Sequence, residues 1–262
     1  MTRLIIKPKN RTDICGICNA AELILMKMKK ERKTLIQMTE IEQEYIRLFR
    51  IHYYEAASQR SSMHEAIFNL KPCQAVIIAD FKENFQAEYK RDQESQEFFK
   101  KHPVTCLSFE VHIMSAKQQH IKVVYTILSK CLTHIAQFVI RALRRIFREP
   151  EFRGLTALHW WSDGAGHFRN TALLDVLLEK RKGKQMLLNC EINVSYFCAA
   201  HGKSECDSCF GYFSRLLNQS TPVDGINSLQ DLSFRFMSQC ITVSPPPSLC
   251  LDALFTSWYK AP

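Results

Sequence analysis

Two runs of the sequence, AVIIAD (75–80) and LTALHWWSD (155–163), are apolar almost throughout, and each stops on an aspartate. Their β-branched and aromatic content reads as buried strand. The second runs directly into Gly-Ala-Gly, so the chain turns where its carboxylate emerges. Strands of this kind, separated by helix-length segments, require an α/β sheet.

The remaining segments fit that frame. Residues 20–70 are rich in helix formers and contain no Gly or Pro, which predicts a helical N-terminal segment (residues 1–71) with Lys and Arg gathered between Lys27 and Lys33. Pro72 closes it. VTCLSFEVHIM (104–114) predicts one or two further strands, and 120–149 predicts a helix with a basic end at Arg141, Arg144, Arg145 and Arg148. A helix over 170–184 stopped near Gly183, a strand over 186–203, and helices over 206–217 and 226–240 complete a domain spanning 72–240. A Pro-containing tail, 241–262, carries SPPPS, which no helix can pass through.

At 262 residues the chain can bury a substantial core. Its 35 Lys+Arg against 26 Asp+Glu give a formal charge of +9, which suits an acidic partner such as a nucleic acid as well as a merely basic protein. Eleven cysteines are an odd number in a long chain with no signal-peptide pattern at its start, so free thiols in a reducing compartment, nucleus or cytosol, are expected. No apolar run is long enough to span a bilayer.

Asp80 and Asp163 each end a predicted strand, and HGKSECDS (201–208) sets Glu205 and Asp207 just after another. In open α/β sheets, functional groups collect at strand ends. Three carboxylates brought together repel one another unless cations sit between them, and hard oxygen donors select Mg²⁺ or Mn²⁺. Two such ions about 4 Å apart activate an attacking oxygen and stabilise a leaving one at a phosphodiester. Each acid taken alone is equally a cap or turn residue.

Three blocks, ADFKENF…QESQEFF…VTCLSF (79–108), SDGAGHFRN (162–170) and HGKSECDSCFGYFSR (201–215), resemble the catalytic core of eukaryotic DDE/D-type transposases. The resemblance covers roughly residues 50–240. It implies a ribonuclease-H-like mixed sheet flanked by helices, acting as a metal-dependent DNA transposase or endonuclease on transposon ends and target DNA, commonly as a homo-oligomer. Asp80 matches the first metal-binding aspartate of that family, Asp163 the second, and Asp207 the acid of the third block. Glu205 competes with Asp207; residues two apart on a helix point about 200° from each other, so only one faces the metals. Glu191 is a more distant candidate for the third acid.

Other block residues have ordinary alternatives. His201 and Lys203 suit a scissile phosphate or a polar turn, and Arg169 a backbone phosphate. Glu83 and Asn84 suit bracing of the Asp80 strand, while Trp160 and Trp161 suit the core. Two departures separate this chain from the family pattern. Cys209 and Phe210 stand where the family runs on through glycines, and Lys130 and Ile135 replace aspartates of Ser-Asp and His-Asp pairs. A catalytically inactive, domesticated DNA-binding protein is therefore the alternative function.

CGIC (15–18) is a zinc-type pair, and CDSC (206–209) is a second one too distant in sequence to imply a shared site. Cys15 and Cys18, joined by His52 or His64, could hold a structural Zn²⁺ that pins the N-terminal segment. Unpaired buried thiols explain the same residues. A zinc-stabilised interaction module is the third functional class.

Overall fold

The computed structural model describes residues 15–87, 102–178, 180–181, 184–185, 187–198, 205–220, 225–226, 228–239 and 253–259. The N-terminal segment is helical as the sequence predicts, in two helices, α1 (Gly16–Glu31) and α2 (Glu40–Phe68). Arg32 ends α1 in a left-handed conformation, φ 52°. Thr34 and Thr39 then form capping boxes with Gln37 and Glu42, and the second of these starts α2. Lys27 of α1 meets Glu42 of α2 at 2.7 Å.

Strands β1 (Gln74–Ala87), β2 (His102–Met114) and β3 (His120–Ser129) form an antiparallel meander. The helix predicted over 120–149 is therefore half wrong: β3 takes its first part, and only α3 (Ala136–Ile146) is helical. VVYTIL is buried along its whole length, and a fully buried strand shows no alternation to set it apart from a buried helix. A tight turn joins β2 to β3, with the Gln118 N–H donating to the Ser115 carbonyl at 2.9 Å and Gln118 at φ 58°.

α3 buries Val139, Ile140, Leu143 and Ile146 and exposes Arg141 and Arg144; Arg148, just past its end, is exposed too. Beyond it come β4 (Ala157–Ser162) and α4 (Thr171–Leu178). α4 stops short of the predicted end; a two-residue hairpin, β5 (Lys180–Arg181) and β6 (Lys184–Gln185), follows it, and Gly183 lies outside the described residues. The strand predicted over 186–203 is β7 (Glu191–Tyr196). α5 (Glu205–Ser220) and α6 (Leu229–Gln239) match the two predicted C-terminal helices. The segment expected as a tail contributes β8 (Ala253–Tyr259), antiparallel to β3, while the SPPPS stretch lies outside the described residues.

The sheet order is β7-β4-β1-β2-β3-β8, with β4 and β7 parallel to β1. Side chains alternate between its faces. Ala75, Ile77 and Ala79 of β1 pack with Trp160 and the apolar faces of α3 and α4. Val76 and Ile78 face the other way and pack with Met63 of α2, Trp161 and Phe197. Farther along that second face, Val104, Cys106 and Leu128 meet Cys206, Phe210 and Phe213 of α5 and Phe236 of α6. A mixed α/β sheet with helices on both faces, preceded by a helical segment, is the architecture. Among the described residues, no helix is long and apolar enough to cross a membrane.

Candidate functional site

Asp80 does not close its strand, because the β1–β2 ladder continues to Ala87. What ends beside it is the parallel neighbour: Ala79 pairs with Ser162, the last residue of β4. Asp80 and Asp163 are therefore next in line on strands roughly 4.8 Å apart. Alternation sets Asp80 on the face of Val76 and Ile78, while Asp163 follows the last residue of β4 and stands beyond the strand. Asp163 also shapes the turn that follows, since Oδ1 accepts from the Ala165 N–H at 3.2 Å. His167 Nε2 lies 4.0 Å from the same oxygen.

The third acid arrives on α5. Cys206, fully buried in its first turn, donates its thiol to the Ile78 carbonyl at 3.5 Å and lies 3.8 Å from the Ser108 carbonyl. Ile78 is two residues before Asp80, and Ser108 is the cross-strand partner of Asp80. Asp207 follows Cys206 directly and is exposed. Asp80 responds to both of the other acids. Burial pushes the Asp80 carboxyl up to about 8, the charges of Asp207 and then Asp163 push it the same way, and a hydrogen bond with the Phe81 backbone opposes them.

The other predicted residues separate. Glu191 is excluded: it is exposed at the first position of β7, paired with Ala157, at the opposite end of the parallel strands from Asp163. Glu205 opens α5, but its side chain lies outside the described residues, as do those of Glu83 and Asn84, which flank a register shift in β1. His201 and Lys203 lie outside the described residues altogether. Arg169 is exposed, with its guanidinium 5.9 Å over the Tyr196 ring. Phe168, Trp160 and Trp161 are core residues, and Asn170 Oδ1 accepts from the Ala172 N–H at the start of α4.

Sequence reasoning passed over Lys82. It shares the face of Asp80 two residues on, with its ammonium 5.9 Å from the Phe210 ring centroid, and the period-two spacing from Asp80 was its only signal. Beside Asp80 across the sheet, the Ser108 and Thr126 hydroxyls are hydrogen-bonded at 2.8 Å and buried.

A second cluster lies at the N-terminal helices. Cys15 Sγ is 3.0 Å from His52 Nε2. Cys15, Cys18 and His52 offer ligand atoms all within 4.8 Å of one another, and so do His52, Glu55 and Cys198. His64, the other predicted partner, belongs to neither set. Cys206 and Cys209 sit in α5, with the Cys206 thiol turned to main-chain oxygens. Among the described residues these two sets alone close to that spacing, so the three aspartates are spread wider. Two cations about 4 Å apart need one shared carboxylate, with each of the others reaching a single ion, so mutual contact of all three is not required.

Fold and site together define a mixed α/β domain with a carboxylate cluster where β4 leaves β1. Residues 59–235 match a family described as a domain of unknown function, DUF8701, and the chain belongs to that family. The match starts within α2 and ends within α6; it includes Asp80, Asp163, Asp207 and Cys198, and it begins after Cys15, Cys18 and His52. No curated protein and no solved structure matches the chain.

Proposed function

We propose that the chain is a transposase-like nucleotidyltransferase of ribonuclease-H-like fold, cleaving DNA phosphodiester bonds and transferring strands. The observation that carries this is that buried Asp80, beside the point where β4 ends, lies within reach of the charges of Asp207 and Asp163. The sheet supports it: a three-strand meander, two parallel strands beyond β1 and helices on both faces agree with the fold implied by the motif resemblance.

The donor set fits hard divalent cations. A buried carboxyl facing two other carboxylates is disfavoured as an anion until positive charge joins it. Oxygen donors select Mg²⁺ or Mn²⁺ over softer metals, and Cys206, the nearest thiol in sequence, points to main-chain carbonyls. Asp80, Asp163 and Asp207 would hold the ions, which supply an activated attacking oxygen and a stabilised leaving oxygen. Asp207 is taken as the third ligand on its match to the motif, and its charge acts on Asp80.

The chain's own contribution is placement. Asp80 is fixed by strands on both sides, through Ala79–Ser162 and Asp80–Ser108 pairing. Asp207 is exposed, so the cluster opens to a DNA strand. Lys82 on the same face, and Arg169 beyond the Asp163 turn, bring positive charge for backbone phosphates. Action on DNA and a set of free cysteines both suit the nucleus.

One observation favours the inactive DNA-binding alternative. Arg141 and Arg144 of α3, and Arg148 just past its end, are exposed, and α3 packs on the sheet face opposite Asp80. These arginines could hold DNA without the cluster. Nicking of supercoiled plasmid with Mn²⁺ distinguishes the two. The expected result is cleavage by the native chain that falls at least roughly 100-fold in Asp163→Asn and Asp80→Asn. Cleavage indifferent to both substitutions, or DNA binding without cleavage, would overturn the enzyme assignment.

A further inference from the structure

We propose that Cys15, Cys18, His52 and Cys198 bind one structural Zn²⁺ that fastens the α1–α2 hairpin to the end of β7. This site is separate from the aspartate cluster and does not depend on the catalytic proposal.

The ligands come from three places in the chain. Cys15 caps α1 and Cys18 lies in its first turn, with the Asn19 N–H donating to the Cys15 carbonyl at 2.9 Å, so one helical turn sets both thiols side by side. His52 comes from α2, whose 29 residues bury only Ile46, His52 and Met63. A buried imidazole on an otherwise exposed helix needs a polar partner, and Cys15 Sγ stands 3.0 Å from its Nε2.

Cys198 is delivered by packing. Phe197 joins Met63, Ile67 and Trp161 in the apolar cluster that seats α2 on the sheet, and Cys198 follows at once. Its backbone N–H donates to Gln59 Oε1 at 2.6 Å and its thiol to Glu55 Oε2 at 3.6 Å. His52, Glu55 and Gln59 form one stripe of α2 by their spacing, turned to this end of β7. His52 is shared by both close sets of ligand atoms.

The donor chemistry selects the metal. The ligands form two close sets that meet at His52, with Cys15 and Cys18 in one and Cys198 in the other, and an ion would draw the two together. Three thiolates and one imidazole are a donor set that suits tetrahedral zinc, whereas oxygen donors favour Mg²⁺ or Ca²⁺. Glu55 competes with Cys198 for the fourth position. It is exposed, and a carboxylate is the harder donor, so Cys198 is the better partner for a site that already holds two sulfurs. Binding displaces three thiol protons to solvent and leaves the imidazole neutral.

The ion would join a segment before the family match to one inside it. Cys198 lies two residues past β7, so anchoring it would hold the end of that strand against α2.

The test uses the full chain purified under reducing conditions, with zinc content by mass spectrometry and Co²⁺ substitution read by absorption. One Zn²⁺ per chain that survives dialysis is expected, and a tetrahedral Co²⁺ spectrum with thiolate charge transfer. Cys198→Ser should lower that charge-transfer intensity by about one third, the share of one thiolate in three, and weaken Zn²⁺ binding roughly 100-fold or more. Glu55→Gln and Asp163→Asn should leave both readings unchanged. If Cys198→Ser misfolds, the native chain's cobalt spectrum, graded by thiolate number, and Glu55→Gln still decide. Zinc at background level, a two-thiolate cobalt spectrum, a Cys198→Ser spectrum equal to the native one, or loss of the metal in Glu55→Gln would each overturn the proposal, as would a Cys15–Cys18 disulfide in the reduced preparation.

Discussion

The Cys206 thiol donates to the Ile78 carbonyl across 3.5 Å, tying the first turn of α5 to the strand that carries Asp80. Thiols are weak donors, so this contact sets position more than it adds strength. Cys206 is also enclosed by Val104, Cys106, Phe210 and Phe213. Cys206→Ser keeps a donor of similar size and should retain Mn²⁺ binding. Cys206→Leu overfills the site, with an expected cost of about 1–3 kcal/mol, and lifts Asp207 away from Asp80. Urea unfolding gives the first quantity and Mn²⁺ titration the second; equal Mn²⁺ affinity in both variants would argue against the placement of Asp207.

Asp80 itself should cost the metal-free protein stability. Its carboxyl is buried against two like charges, and a neutral amide of the same shape relieves both penalties. Asp80→Asn is expected to raise metal-free stability at neutral pH by more than about 1 kcal/mol, a modest share of what so large a displacement of a carboxyl from its ordinary range implies. Mn²⁺ should raise the melting temperature of the native chain and leave that of the variant unmoved. Thermal unfolding with and without Mn²⁺ checks both; a destabilised Asp80→Asn would mark the residue as structural.

The strands that place Asp80 and Asp163 were legible because AVIIAD and LTALHWWSD are short, β-branched or aromatic, and cut off by an acid. HIKVVYTILS was not, since burial of both its faces erased the alternation that separates strand from helix. The break at Arg32 left a trace in the sequence, because Thr34…Gln37 and Thr39…Glu42 carry capping-box spacing within the predicted helical segment. The pairing of β1 with β4 is long-range and leaves no local mark, so Asp80 reads as a strand end when only its neighbour ends there. Cys198 is invisible for the same reason: its tie to Cys15 and His52 exists only once Phe197 packs on α2.

Adjacent tryptophans on opposite faces of β4 give a paired stability test. Trp160 Nε1 donates to Ser162 Oγ at 3.1 Å, whereas Trp161 Nε1 is buried with no acceptor among the described residues. Trp160→Phe therefore breaks a hydrogen bond and strands the Ser162 hydroxyl, while Trp161→Phe removes an unsatisfied donor. Trp160→Phe is expected to cost at least about 1 kcal/mol more than Trp161→Phe in urea unfolding. The reverse order would mean that packing volume, not hydrogen bonding, governs this strand.

Glu110 sets the acid limit of the fold. It is buried in β2, and His112 Nε2 at 2.8 Å and Lys122 Nζ at 3.0 Å both reach its Oε1. Burial alone would raise its carboxyl; the His112 bond and the Lys122 charge outweigh it and hold the group below its ordinary 4.5. Nearby, burial and then the His112 and Lys122 charges hold His120 below 6.5. For both groups the unfolded chain takes up the proton first as pH falls, so stability drains in that direction. His120 contributes the loss that begins near 6.5, and Glu110 the loss that begins near 4.5 and continues through its lower folded value. Glu110→Gln removes one partner of a buried charge pair and should cost about 3–5 kcal/mol at pH 7. It should also flatten the decline below pH 4.5, because the group whose protonation drives it is gone. Urea unfolding of both proteins across a pH series measures the two effects together. An unchanged acid slope in Glu110→Gln would assign that decline to other carboxylates.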